Sequence, residues 1–159
     1  MKEDICSIPV SEVFEPKDGC PICRMRATVE AHLVDYITGA AMMEPDVREE
    51  TNRSGFCAPH YRRMLARRNR LSVALTLETH LKTIEGLLDF GPKGPGKAEL
   101  DALHTAAAEC FVCRKIDWAV DRMLTTVFLL WQKEPDFRAL FDAQTDLCLP
   151  HAELLLRRA

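Results

Sequence analysis

Eight residues of this chain have the types and spacing of metal ligands. Cys20 and Cys23 bracket Pro21-Ile22, and Cys110 and Cys113 bracket Phe111-Val112. Each pair is answered downstream by a Cys-x-x-His, Cys57 to His60 and Cys148 to His151, after intervals of 33 and 34 residues. Three thiolates and one imidazole make a tetrahedral set for zinc, and a two-residue gap lets both members of a pair face one ion. Buried cysteines also serve as small hydrophobes, but packing has no reason to repeat a histidine at the same offset. Both sets close at four ligands, so two zinc ions are expected, with an iron–sulfur cluster as the alternative. Dithiol redox chemistry is disfavoured, because its usual βαβ scaffold is missing and the histidines would have no purpose.

The intervening sequence must position these ligands, and it too repeats. Glu44-Pro45-Asp46-Val47-Arg48 matches Glu134-Pro135-Asp136-Phe137-Arg138. All nine prolines fall in the N-terminal arm, the motifs or one linker, which leaves long stretches free to be helical. Val29, Leu33, Tyr36, Ile37 and Ala40 recur at helical spacing, as do Ile116, Val120, Met123, Leu124, Val127 and Trp131. No sustained period-two alternation is present. The expected fold is all-α, an internally duplicated helical domain with pseudo-two-fold repeats. Residues 1–19 read as an irregular arm, 20–90 as the first repeat, 91–97 as a Gly/Pro linker and 98–159 as the second repeat, the two sharing one core. Within them, the first long helix runs from the Cys20 pair toward Met43, with Gly39 as a bending point, and Pro45 starts a short helix to about Asn52. A helix beside Pro59 reaches Arg70, and Leu71 to Phe90 follows with Leu71, Ala74, Leu75, Leu81, Ile84 and Leu88 on one face. Ala98 to Glu109 is also helical.

Which Cys-x-x-His serves which cysteine pair stays open at this level. A helix of about 20 residues is about 30 Å long, and the shorter stretch after it can just return to its own start. If instead the two long helices lie antiparallel, Cys57 and His60 join Cys110 and Cys113, while Cys148 and His151 join Cys20 and Cys23. The second arrangement demands less of the chain and is preferred.

Arg24, Arg114, Arg48 and Arg138 recur beside the motifs, where they can support ligands by hydrogen bonding to thiolates or carboxylates; plain surface ion pairs are an equal alternative. The acidic residues flanking Pro45 and Pro135 suit helix starts better than acid–base catalysis. Arg62, Arg63, Arg67, Arg68 and Arg70 form the one basic cluster. Without interleaved aromatics, and with a net charge of −3, it reads as a solvated helix face rather than a nucleic-acid site. His32, His80 and His104 have no partner at ligand spacing, and Cys6 is a spare thiol. Trp118, Trp131, Met42 and Met43 read as core before they read as a small-molecule pocket. No catalytic residue is singled out and an enzymatic role is disfavoured. The composition, 47% hydrophobic and 28% charged, is that of a globular protein. No segment suits a signal peptide or a membrane span, so a cytoplasmic location is expected, where reduced thiols favour metal over disulfides.

The pattern Cys-Pro-x-Cys-Arg at Cys20 to Arg24, a long helix, then Gly-Phe-Cys-x-x-His at Gly55 to His60 resembles a prokaryotic family of unknown function. Its members look like duplicated cysteine–histidine helical proteins, and the resemblance covers Cys20 to Leu156. The second copy departs from it at Phe111, in place of proline, and at Asp146-Leu147, in place of Gly-Phe. Neither change touches a ligand. The resemblance implies no known activity; a metal-stapled interaction or regulatory module, leaving a protein partner open, is the expected role, with an iron–sulfur or redox/metal-handling protein using the same Cys₃His sites as the alternative.

Overall fold

Proline placement sets the helix starts. The structure, a computed structural model, describes residues 8–158. These hold helices α1 (Ile8–Phe14), α2 (Pro21–Thr38), α3 (Pro45–Ser54), α4 (Ala58–Leu65) and α5 (Arg70–Leu88). They continue with α6 (Lys97–Ala108), α7 (Phe111–Lys133), α8 (Pro135–Asp142) and α9 (Leu149–Leu156). Among the described residues there is no strand, and the fold is all-α. Pro21, Pro45 and Pro135 are first residues of helices, while Pro59 and Pro150 are second, where a missing N–H has no intrahelical partner to lose. Gly39 ends α2 early, and Ala40–Met43 is a separate 3₁₀ turn. No helix of the described residues is long and apolar enough to cross a membrane.

The chain folds as two compact units. One combines the residues up to Glu30 with those from Ile116 onward; the other is Ala31–Lys115. The unit boundaries fall inside α2 and α7 and not at the 91–97 linker, which lies within the second unit as an exposed connection between α5 and α6.

In the first unit, Ile22 and Met25 of α2 and Ile116, Val120, Leu124 and Val127 of α7 are buried at helical spacing. Residues 1–19 are not wholly irregular. α1 buries Val10, Val13 and Phe14, and Phe14 meets Phe137 edge-on at 5.2 Å and stacks on Phe141 at 5.5 Å. A segment of seven residues with Pro9 in its first turn and Pro16 just past its end shows no period in sequence; burial of its apolar side against α8 makes it a helix. Cys6 lies outside the described residues.

In the second unit, Val34, Ile37, Ala41, Phe56, Met64, Val73, Phe111 and Val112 form the core. α4 stops at Leu65 and does not reach Arg70. Asn69 then caps α5, its Oδ1 accepting from Ser72 N at 3.3 Å while its Nδ2 donates to Thr38 O at 2.7 Å. The larger departure is which face of α5 is inside. Ser72, Val73, Thr76 and His80 are buried, whereas Leu71, Leu81 and Leu88 are exposed. The buried polar groups are bonded: Ser72 Oγ to Ile37 O at 3.3 Å and Thr76 Oγ1 to Ser72 O at 2.9 Å. Thr79 Oγ1 donates to Asn52 Oδ1 at 2.7 Å. Trp118, Trp131 and Met43 are exposed and belong neither to a core nor to an enclosed pocket.

Candidate metal centres

Each of the four half-motifs opens a helix. Cys20, Cys57, Cys110 and Cys148 stand one residue before α2, α4, α7 and α9, and their carbonyls accept from Arg24 N, Tyr61 N, Arg114 N and Ala152 N. The second ligand of each half-motif lies three residues on, so both side chains leave the same face of the first turn. Two helix N-termini therefore serve each group. A zinc ion with three thiolates and a neutral imidazole carries a net charge of about −1, which the positive end of a helix dipole favours.

The groups form across the sequence repeats, with the crossed assignment of ligands preferred above. The first unit brings together Cys20, Cys23, Cys148 and His151, and the second Cys57, His60, Cys110 and Cys113, each with its four donor atoms within 4.8 Å of one another. Tetrahedral bonds of about 2.3 Å to sulfur and 2.0–2.1 Å to nitrogen would separate sulfurs by about 3.8 Å and sulfur from nitrogen by about 3.5 Å. Cys23 and Cys148 sulfurs lie 3.7 Å apart, and those of Cys57 and Cys113 lie 3.9 Å apart. His151 Nδ1 is 3.4 Å from Cys20, 3.4 Å from Cys23 and 3.1 Å from Cys148. His60 Nδ1 is 3.1 Å from Cys57, 3.2 Å from Cys110 and 3.5 Å from Cys113. Both histidines present Nδ1. The donor sets fit one divalent ion each.

Crowding of thiols shapes their acidity. Desolvation and hydrogen bonds with the Cys148 and Cys20 thiols push Cys23 up to about 11. Burial and the Cys110 thiol push Cys113 up to about 12. Burial works against ionising Cys20, but backbone hydrogen bonds at Cys148, Cys23 and Ile22 outweigh it and hold that thiol below its ordinary value. Burial and the charge of Arg26 lower His151 below the ordinary imidazole value. A divalent cation among the thiols would offset the repulsion that raises Cys23 and Cys113.

The surroundings of the two groups differ. In the second unit Gly55 holds φ +57 and ψ −153 and accepts from Phe111 N at 3.0 Å. A side chain at Gly55 would strike the ring of buried His80, whose Nδ1 is 2.7 Å from Asn52 O. Phe56 lies between Tyr61 and Phe111, 5.5 and 6.1 Å between ring centres. Burial and the nearby Cys110 raise the Tyr61 phenol, whose hydroxyl is buried without a hydrogen-bond partner. In the first unit the corresponding positions are Pro21, which has no N–H to donate, and Asp146-Leu147, both exposed. Cys23 is exposed there as well, whereas His60 and Cys110 are buried.

The repeated arginines bond away from the sulfurs. Arg24 donates to the carbonyls of Val13, Pro16, Asp18 and Gly19 and to Gln144 Oε1. Gln144 Nε2 in turn donates to Phe14 O at 2.6 Å, so this pair fixes the loop before Cys20 to the end of α8. Arg114 and Lys115 pair with Glu50 at 3.0 and 3.1 Å, which holds the Glu50 carboxyl below the usual range against the effect of its burial. Arg48 donates to Thr79 Oγ1 and Arg138 to Trp131 O. In the basic cluster Arg67 pairs with Asp35 at 2.9 Å, and Arg62, Arg63, Arg68 and Arg70 are exposed. His32 and His104 are exposed. His80, Gln144 and Glu50 were not visible as site residues in the sequence, since their partners are distant in it; only Gly55-Phe56 beside Cys57 hinted at a tight approach.

Fold and site together define an all-helical protein with two Cys₃His groups able to hold metal, one in each unit. The chain belongs to the Family of unknown function (DUF6062), which it matches over residues 1–159. No curated protein and no solved structure matches it.

Proposed function

We propose that both groups bind zinc structurally, and that the protein is a metal-stapled helical module acting in interaction or regulation and not in catalysis. The spacing of the donor atoms carries this reading, because it suits one tetrahedral ion per group. An iron–sulfur cluster would place its ligands on separate irons and spread the sulfurs farther apart. In each unit the ion would join helices that meet from distant parts of the sequence, so its binding energy would be folding energy. Anaerobic metal analysis of the isolated protein, with a chelator-unfolding experiment, tests the reading. Two zinc ions per chain and loss of helical circular dichroism on chelation are expected; iron with inorganic sulfide, or a fully folded metal-free chain, would overturn it.

A second reading, metal handling, is favoured for the first unit alone by the exposure of Cys23 and of Asp146-Leu147. An exposed thiolate exchanges its ion or reacts more readily than a buried one.

A further inference from the structure

The outward face of α5 is apolar where a solvent-facing helix is ordinarily polar. Leu71 is 66% exposed, Leu81 53% and Leu88 54%, while the inward face is occupied by Ser72, Val73, Thr76 and His80. Ala74, Leu77, Leu81, Ile84 and Leu88 follow one another at alternating steps of three and four, the 3.5-residue repeat of a helix that pairs with another helix. Leu77 is also exposed and Ile84 half-exposed. Burial of the polar face is satisfied by hydrogen bonds, so the apolar stripe is not an accident of a loosely placed helix.

We infer that this stripe is a self-association surface, on which α5 of a second copy of the chain packs antiparallel. Size and charge both select that occupant. With the two-fold axis at Leu81, Ala74 of one copy faces Leu88 of the other, since each lies seven residues from Leu81; the small residue receives the large one. Exposed Arg68 and Arg70 mark the start of α5, and exposed Glu85 and Asp89 its end. Antiparallel packing sets Arg70 of each copy about one turn from Asp89 of the other, within reach of an arginine side chain. Parallel packing would set arginines against arginines and carboxylates against carboxylates. In this register Glu85 of each copy approaches Glu78 of the other, whose carboxylate is already paired with Lys82 on its own helix at 2.6 Å.

A helix of 19 residues is about 28 Å long, so a single helix pair buries an interface at the low end of the specific range, on the order of 1,200 Å². The dimer is accordingly weak, with a dissociation constant in the micromolar range. This inference gives the interaction role a surface and does not depend on which ion the sites hold.

Sedimentation velocity on the full, metal-loaded chain from about 1 to 200 µM tests it, with metal content and circular dichroism read on the same samples. A monomer–dimer equilibrium is expected in the wild type. Leu81→Glu, which sets two carboxylates together on the axis, should leave only monomer with unchanged helicity and metal content. Asp89→Arg should weaken the dimer about tenfold, and Arg70→Glu with Asp89→Arg in one chain should restore it. A wild type that stays monomeric throughout, a dimer that survives Leu81→Glu, or a double charge swap no better than the single change would overturn the inference.

Discussion

Replacing Gly55 by alanine tests whether the second metal group depends on the close approach of His80. Gly55 sits at φ +57 and ψ −153, a conformation that glycine alone adopts freely, and forcing another residue there costs about 1–3 kcal/mol. The added Cβ would lie 2.4 Å from His80 Nε2 and 2.7 Å from its Cε1, closer than any real contact. The ring must move, and it is 6% exposed with Nδ1 held 2.7 Å from Asn52 O. Loss of that hydrogen bond in a buried place adds about 1–3 kcal/mol. The sum, about 2–6 kcal/mol, is a large fraction of the stability of a small protein. Gly94→Ala is the control: φ is +72, but nothing lies within 4 Å, so only a backbone term of about 1–2 kcal/mol applies. Urea unfolding at saturating zinc, with the zinc-to-protein ratio measured in parallel, should show Gly55→Ala far less stable than Gly94→Ala and short of one ion. In a His80→Ala background the clash is gone, and the further loss from Gly55→Ala should shrink to its backbone term. Equal effects at Gly55 and Gly94, or an undiminished loss in the His80→Ala background, would refute the reasoning.

Three further outcomes follow from the same geometry. Zinc must displace protons from thiols such as Cys23, raised to about 11, and Cys113, raised to about 12, so affinity should fall as pH falls. Competitive chelator titrations between about pH 6 and 8 should show a drop of up to about tenfold per unit for each displaced proton, and pH-independent affinity would contradict this. Because Cys23 is exposed while His60 and Cys110 are buried, a chelator challenge followed by native mass spectrometry should remove one ion quickly and the second slowly. Cys23→Ser should abolish the fast phase and Cys110→Ser the slow one. Arg24→Lys should destabilise the protein by about 2 kcal/mol in thermal unfolding, since one ammonium cannot serve four carbonyls and Gln144; a neutral result would show that the clamp carries nothing.

The eight ligands were legible in the amino-acid sequence because their signal is local. Cys-x-x-Cys and Cys-x-x-His each need only one helical turn to aim two side chains at one point, and prolines mark where those turns begin. The all-α class was legible for the same reason: period and proline placement are properties of short windows. Three things depended on contacts between distant residues. The partner of each cysteine pair was one, because both pairings satisfy chain length and only packing within a unit brings Cys20 and Cys23 to Cys148 and His151. The orientation of α5 was another. Its leucines read as a core face, but Ile37 and Asn52 offer carbonyls to Ser72 and His80, and Thr76 bonds back to Ser72 O, which lets all three go inside. The difference between the sites was the last, since a proline against a phenylalanine, or Asp146 against Gly55, matters only when a neighbour stands close. Residue type and spacing determined the chemistry available to this protein; which groups meet, and how well each is covered, was decided by tertiary packing, because burial is a property of the whole chain.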